Sequence, residues 1–411
     1  MMNDMADDQF LSTNGLFYRM PPTLSTTVDR TFNREQANKS SYTQGETIVI
    51  DLNIGTSYLD PKNAMLSFDL TVTATAGADN ADRVTFGSGS AANLIKEIRF
   101  LSKNGCEVDR TTKSNKLTKI QQDYMYSVEG QRYLQMAGIG RVLGGAAGLA
   151  ANKQRFVIPM AFISGFFRPV VKGMKMPGGL MSGMRIELTL EDPTLCFQRT
   201  AGTATALSYT IEDPTMLMML HELNDPTQAV LLQNSSDTGL EYTFPSYFES
   251  GGESTQIRVN DQVKKAVGNC NKIFVAVYDL AGDNNILTIT NDPVAACNST
   301  SFAEFQFRVG ANYYPQQTIK SDIEAWYIAT SAFKGGETAV TLADYQSGGK
   351  FLLSHPLEAD SALNLSGIPL NNSNLAAYQI AMTTSINREY AVFIEFITVA
   401  KTFINKTSIK I

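Results

Sequence analysis

Residues Phe156–Asp192 read FVIPMAFISGFFRPVVKGMKMPGGLMSGMRIELTLED, and this stretch decides the fold class. An apolar run, Phe156 to Phe167, is interrupted only by Pro159, Ser164 and Gly165. A loop punctuated by Pro169, Gly173, Pro177, Gly178 and Gly179 follows. The stretch then ends in strict alternation, with Met184, Ile186, Leu188 and Leu190 on one face and Arg185, Glu187, Thr189 and Glu191 on the other. A period of two belongs to a β-strand with one face on a core. A helix would scatter the same four apolar residues around its circumference.

The phrase returns near the C-terminus. Met181-Ser-Gly-Met184-Arg-Ile186-Glu-Leu188-Thr189 aligns with Leu375-Ala-Ala-Tyr378-Gln-Ile380-Ala-Met382-Thr383, apolar on apolar at each numbered core position. Upstream, Ser164-Gly165 is echoed by Ser366-Gly367, with a shorter loop between. The spacing predicts a β-rich unit that occurs twice.

A chain of 411 residues suits two or three domains. Only 18% of it is Asp, Glu, Lys or Arg, against about a quarter in ordinary soluble domains. Asn, Ser, Thr and Tyr take their place, and neutral amides and hydroxyls cost less to desolvate against a neighbouring subunit than ions do. An ordinary β-protein with polar loops would have the same composition. The net charge of −6 argues against a general nucleic-acid binder, which needs a positive field. The opening MMNDMADD lacks the basic-then-apolar order of a signal peptide, and no apolar run reaches the length of a membrane helix. Cys106, Cys196, Cys270 and Cys297 have no metal-like spacing and are expected to be reduced, buried thiols of a soluble protein.

Taken in order, residues 1–40 are polar, carry a Pro21-Pro22 break and read as an arm, with Phe10, Leu16, Phe17, Tyr18 and Met20 available for a partner. The first expected strand begins near Thr47, with Ile48, Ile50, Leu52 and Ile54 alternating, and a second contains Leu66, Phe68, Leu70 and Val72. Ile95–Leu101 and Cys106–Arg110 flank Asn104-Gly105 and predict a hairpin with a type I′ turn. Leu117, Ile120, Tyr124 and Val128 change to helical spacing behind a Ser114 cap. Lys113, Lys116 and Lys119 gather at the start of that helix, where a phosphate contact is conceivable and a solvated face is expected. A Gly/Ala tract spans Gly138–Ala151.

The polar stretch around 224–236 makes the best boundary between units. Beyond it, Gln256–Val259, Ile273–Leu280, Ile286–Ile289, Phe305–Val309, Trp326–Ala329, Leu375–Met382 and Tyr390–Val399 read as short strands between turns, the pattern of an all-β sandwich. The expected organisation is an arm (1–40), a first unit (41–223), a linker (224–236) and a second unit (237–411).

Little in the chain points to catalysis. His221 and His355 are the only histidines, and each lies in or beside an apolar strand-like segment. There is no H-E-x-x-H, no C-x-x-C and no G-x-S-x-G. Gly138-Ile-Gly140-Arg-Val-Leu-Gly144 lacks both the spacing and the preceding strand of a phosphate cradle. Paired carboxylates for glycoside hydrolysis are not legible from sequence, because their separation is a three-dimensional quantity. Tyr313-Tyr314-Pro315 has the aromatic character of a sugar-stacking site, or of a cluster packed under a turn or against a subunit. No catalytic, cofactor-binding or metal residue is assigned.

The order of features resembles the major capsid proteins of the double jelly-roll lineage, which includes adenovirus, tailless membrane-containing phages, virophages and large eukaryotic DNA viruses. The phrases that carry the resemblance are YTQGETIVIDLNIGTSYLDPKNAMLSFDL (Tyr42–Leu70), FISGFFRPVVKGMKMPGGLMSGMRIELTLEDP (Phe162–Pro193), FQFRVGANYYPQQTI (Phe305–Ile319) and YAVFIEFITVAKTFINKTSIKI (Tyr390–Ile411). The resemblance implies an all-β fold of two consecutive eight-stranded jelly rolls with an N-terminal arm and few short helices. It implies a non-enzymatic major capsid protein, without cofactors, whose homotrimers form pseudo-hexagonal capsomers of an icosahedral virion. Its implied partners are neighbouring capsomers, minor capsid, cement and penton proteins and an internal membrane beneath the shell, with no sequence-specific nucleic acid. Synthesis in the host cytoplasm or a virus factory goes with it. The short loops, without tower insertions, resemble those of smaller viruses or virophage-like elements. The alternative reading is a carbohydrate-binding β-sandwich, lectin-like or part of a spike.

Overall fold

A computed structural model of the chain describes residues 10–13, 16–19, 27–144, 148–149, 152–171, 173–223, 239–333, 338–358, 367–371, 374–403 and 406–410. The first unit contributes eight principal strands. They are β1 (Thr27–Gln36), β2 (Thr47–Asp51), β3 (Met65–Ala76), β4 (Ile95–Leu101), β5 (Glu107–Thr111), β6 (Gln154–Pro159), β7 (Arg185–Leu190) and β8 (Ala206–Leu223). They form two four-stranded layers, ordered β5-β4-β7-β2 and β6-β3-β8-β1.

The second unit repeats the plan with β9 (Leu240–Ser254), β10 (Arg258–Val263), β11 (Val267–Asp279), β12 (Phe302–Val309), β13 (Asn312–Ile319), β14 (Leu353–Pro356), β15 (Ala376–Met382) and β16 (Arg388–Phe403). Its layers run β13-β12-β15-β10 and β14-β11-β16-β9. Adding eight to each label of the first unit gives the second, so both are jelly rolls of one topology. The repeated phrase falls on β7 and β15, which hold the same place in their sheets.

The alternation in β7 has the predicted effect. Ile186 pairs with Ile50 on one side and Phe100 on the other, and Leu188 with Ile48 and Ile98. Met184, Ile186, Leu188 and Leu190 are all buried. At roughly 1.5–3 kcal/mol for each fully buried side chain, this one strand face contributes heavily to the first core. The apolar run upstream becomes β6, a single helical turn at Met160–Ile163 and a 3-10 turn at Gly165–Phe167. The Ser164 hydroxyl caps that last turn by accepting the Phe166 N–H.

Five expectations are corrected. The arm was drawn to residue 40, yet Thr27–Gln36 is β1, the edge strand beside β8. The β4–β5 turn is not type I′. Only Gly105 has positive φ, at 77°, while its N–H donates to the Ser102 carbonyl and the Ser102 N–H to that of Cys106. This is the three-residue loop whose left-handed glycine ends a type I turn. Trp326–Ala329 is helical, inside Asp322–Phe333, because Ala325, Ala329 and Phe333 bury a helical stripe; a short apolar run alone cannot separate the two states. Ile286 and Ile289 are buried in a chain of turns rather than a strand. Cys106 is exposed, unlike the other three cysteines, which are buried and free. The expected linker, 224–236, lies outside the described residues.

Candidate functional site

The two rolls meet through a junction to which helix α1, Ser114–Met125, contributes buried side chains. Its apolar spacing was legible, but its surroundings were not: Ser114 to Tyr124 are buried without exception. The N-cap is Lys113, in left-handed conformation (φ 48°), rather than Ser114. Leu117, Ile120 and Tyr124 join the core of the second roll, alongside Phe274, Tyr278 and Phe393. In return, Tyr242, Phe244 and Ala400 of the second roll complete the core of the first. Phe166 packs edge-on against Phe244, with centroids 4.9 Å apart. The Tyr242 hydroxyl donates to the Phe166 carbonyl at 2.7 Å. Gly165 is required there, because a Cβ would lie 1.9 Å from the Pro245 carbonyl oxygen.

The three lysines are not a solvated face. Lys113 Nζ lies 2.6 Å from Glu249 and 2.9 Å from Glu389, both of the second roll. Lys116 also pairs with Glu389 and sits over the Tyr278 ring, 4.4 Å from its centroid. Lys119 is held 2.6 Å from Asp123, one helical turn on. Burial alone would raise the Glu389 carboxyl, but Lys116 and Lys113 outweigh it and hold its pKa below the usual value. The sequence carried no distinguishing signal, since Lys119 and Asp123 have the i, i+4 spacing that an exposed helix also shows.

A second polar line crosses the junction nearby. Arg168 donates to the Tyr247 hydroxyl, which donates in turn to Glu395 at 2.6 Å. Glu395 also lies 3.1 Å from Lys272. Between β5 and β9 is a cleft of about 420 Å³, lined among others by Asp109, Ser246, Glu249 and Thr398. Burial pushes the Asp109 carboxyl up to about 7, against the opposing pull of the Ser246 hydroxyl and the Arg110 N–H. Its Oδ2 has no partner among the described residues. A neutral carboxyl suits such a site, because an ion there would be uncompensated.

The residues weighed for chemistry are dispersed. His221, in β8, lies 3.7 Å from Asp60, and burial together with Lys175 lowers its pKa. His355, in β14, faces the Pro356 carbonyl at 2.6 Å and packs on Tyr314. The two histidines therefore sit in different rolls. Gly138 closes a 3-10 turn against Phe156, and Leu143 bridges to Val84, so the glycine segment serves packing. Among the described residues no cluster of His, Cys, Asp or Glu could hold a metal ion. Burial raises the Cys270 thiol to about 12, and Cys196 is raised well above its ordinary value, so neither is a poised nucleophile.

No protein-family profile and no curated protein sequence matches the chain. Solved structures do. The Faustovirus major capsid protein matches with a TM-score of 0.67 at 9% identity, over 98% of this chain and 94% of that one. A chain of the PBCV-1 virus capsid matches with a TM-score of 0.62 at 11% identity, over 95% and 98%. The mavirus major capsid protein matches with a TM-score of 0.55 at 11% identity, over 98% and 93%. These neighbours are capsid proteins rather than enzymes, and the likeness runs through both rolls from end to end. The chain has the double jelly-roll fold. At such identities what is shared is the path of the backbone, carried by apolar patterning rather than by particular side chains.

Proposed function

We propose that this protein is a major capsid protein, a structural subunit whose homotrimers form pseudo-hexagonal capsomers that tile an icosahedral virion shell. The observation that carries the reading is the pairing of two topologically identical rolls through a buried, charge-paired junction. A chain so built is a stiff block with two near-equivalent sides, and three such blocks supply six similar edges. The low charge of its surface fits neighbours that cover polar but uncharged faces. The proposal extends to the division of the chain, with a first roll over 41–223 that also takes in β1 and a second over 237–411. It extends as well to contacts with neighbouring capsomers and with minor capsid, cement and penton proteins, and to synthesis in the host cytoplasm or a virus factory. The test is sedimentation with negative-stain imaging of the purified chain. Trimers with a hexagonal outline are expected, and dispersed monomers at micromolar concentration would overturn the reading.

A further inference from the structure

Strand β8 ends among charged groups. Its His221 is only 6% accessible, and it lies level with Arg30 of β1 on one side and with Tyr58 of the short strand Tyr58–Leu59 on the other. Residues level with one another on adjacent strands project from the same face. Asp60 follows two residues after Tyr58, and its Oδ2 is 3.7 Å from His221 Nε2. That oxygen is already engaged. Lys175 Nζ lies 2.7 Å from it, and Asn63 Nδ2 donates to it at 2.9 Å. Neither nitrogen of the imidazole has a hydrogen-bond partner among the described residues. Buried polar groups are normally bonded, so an idle ring beside a fully used carboxylate calls for a reason.

The segment that carries Lys175 is clipped to the same turn. Leu59 and Met176 exchange both backbone hydrogen bonds, each 2.9 Å long, and the Asp60 N–H donates to the Met219 carbonyl at 2.9 Å. Lys175 and Asp60 therefore close a clasp between segment 174–176 and the turn 58–63, against the end of β8. The charged and titratable groups around the ring are Asp60, Lys175, Arg30 and Tyr58. Burial keeps the Tyr58 phenol neutral, and Arg30 is a fixed cation. A protonated His221 is then a third cation, after Lys175 and Arg30, around the single carboxylate of Asp60. Like charges repel strongly in a partly dry site. The side chain able to leave is that of Lys175, 33% accessible against 7% for His221.

We propose that His221 is an acid-operated latch: on protonation it takes Asp60 from Lys175 and releases segment 174–176 from the turn 58–63. Linkage fixes the direction. Burial, with Lys175 and Arg30, holds the ring's pKa in the closed clasp below its ordinary 6.5. The closed clasp therefore binds the proton less tightly than the open one. It has its full stability above about pH 6.5 and loses it as pH falls further, until the closed form takes the proton as well. At pH 5 opening can rise by up to about 30-fold, the limit for an ordinary histidine that is protonated only in the open form. The latch does not depend on the capsid reading.

The test is hydrogen exchange of the full chain, read by mass spectrometry at pH 7.5, 6.0 and 5.0 and expressed as protection relative to the intrinsic rate at each pH. In the parent, protection over 174–176 and 58–63 is expected to fall several-fold between pH 7.5 and 5.0, within that limit, while β7 keeps its protection. In His221→Gln it is expected to stay level, because the amide does not titrate. Lys175→Met leaves Asp60 to the imidazolium alone, and the acid loss is expected to vanish or reverse. Lys175 is partly exposed, so this variant carries the test should His221→Gln fail to fold. Protection in the parent that stays level with pH overturns the latch. A loss that persists in His221→Gln belongs to another group and overturns it too. An undiminished loss in Lys175→Met overturns the competition for Asp60.

Discussion

Replacing Asp109 with Asn should abolish a pH dependence that the junction imposes on stability. Asp109 lies in β5 at the cleft against β9, and its carboxyl is raised from 3.8 to about 7 by burial. The folded state therefore binds its proton more tightly than the unfolded chain does. Below about pH 3.8 both states are protonated and the residue is neutral in its effect on folding. As pH rises from there towards 7, the unfolded chain gains by ionising and the folded chain does not, so stability falls, and above about pH 7 the loss is complete. The interval between 3.8 and about 7, at 1.36 kcal/mol per pKa unit, corresponds to about 4 kcal/mol. Asn keeps the shape and stays neutral at every pH. The variant should therefore match the parent near pH 4 and gain on it steadily to about pH 7, above which its Tm should be higher by roughly 5 °C. Calorimetric melts of both proteins at half-unit steps from pH 4.5 to 8.5 give the difference directly, with the other titrating groups cancelling. A difference that is flat with pH would show that Asp109 is ionised in the fold and that the account of the cleft is wrong.

Other expectations follow from the same junction. Lys116→Ala removes one of the two cations on Glu389, and urea unfolding should show a loss of about 3 kcal/mol, partly recovered by adding Glu389→Gln. Leu117→Ala, which truncates a helix residue of the first roll, should lower the stability of the second-roll core by about 2–5 kcal/mol. Equal loss of tryptophan and far-UV signals would be consistent with that, whereas no change would place α1 outside that core. Gly165→Ala puts a Cβ against the Pro245 carbonyl, and limited proteolysis should then cut between the rolls in a variant that the parent resists.

The legible parts of the fold were those where one face is wet and the other dry. Met184–Leu190 alternates because β7 has a core on one side only, and the repeat was visible because β15 faces the same demand. β1 was missed for the opposite reason. TVDRTFNREQ is an edge strand exposed at most of its described positions, and no inward set of side chains breaks its polar run. The junction was missed because Lys113 and Lys116 are paired with partners 130 and more residues away in sequence (113 to 249), a distance no local period can report. The true position of Tyr313, on an open strand rather than beneath a turn, depended on knowing which strand of the roll it occupies.

The exchange of side chains between the two cores has a consequence for how the protein is made. Leu117, Ile120 and Tyr124 leave the ribosome long before Phe396, the last of the aromatic residues that share their core, at 272 positions further on (396 − 124). At ~5–20 residues per second that interval lasts roughly 15–55 s. Throughout it the nascent first roll carries an uncovered greasy helix; it lacks Tyr242 and Phe244 from its own interior for the first part of that time and Ala400 to the end. Neither half can be completed before the other, so the chain matures as one unit after release. Until then, α1 is the segment on which a chaperone would find its hold.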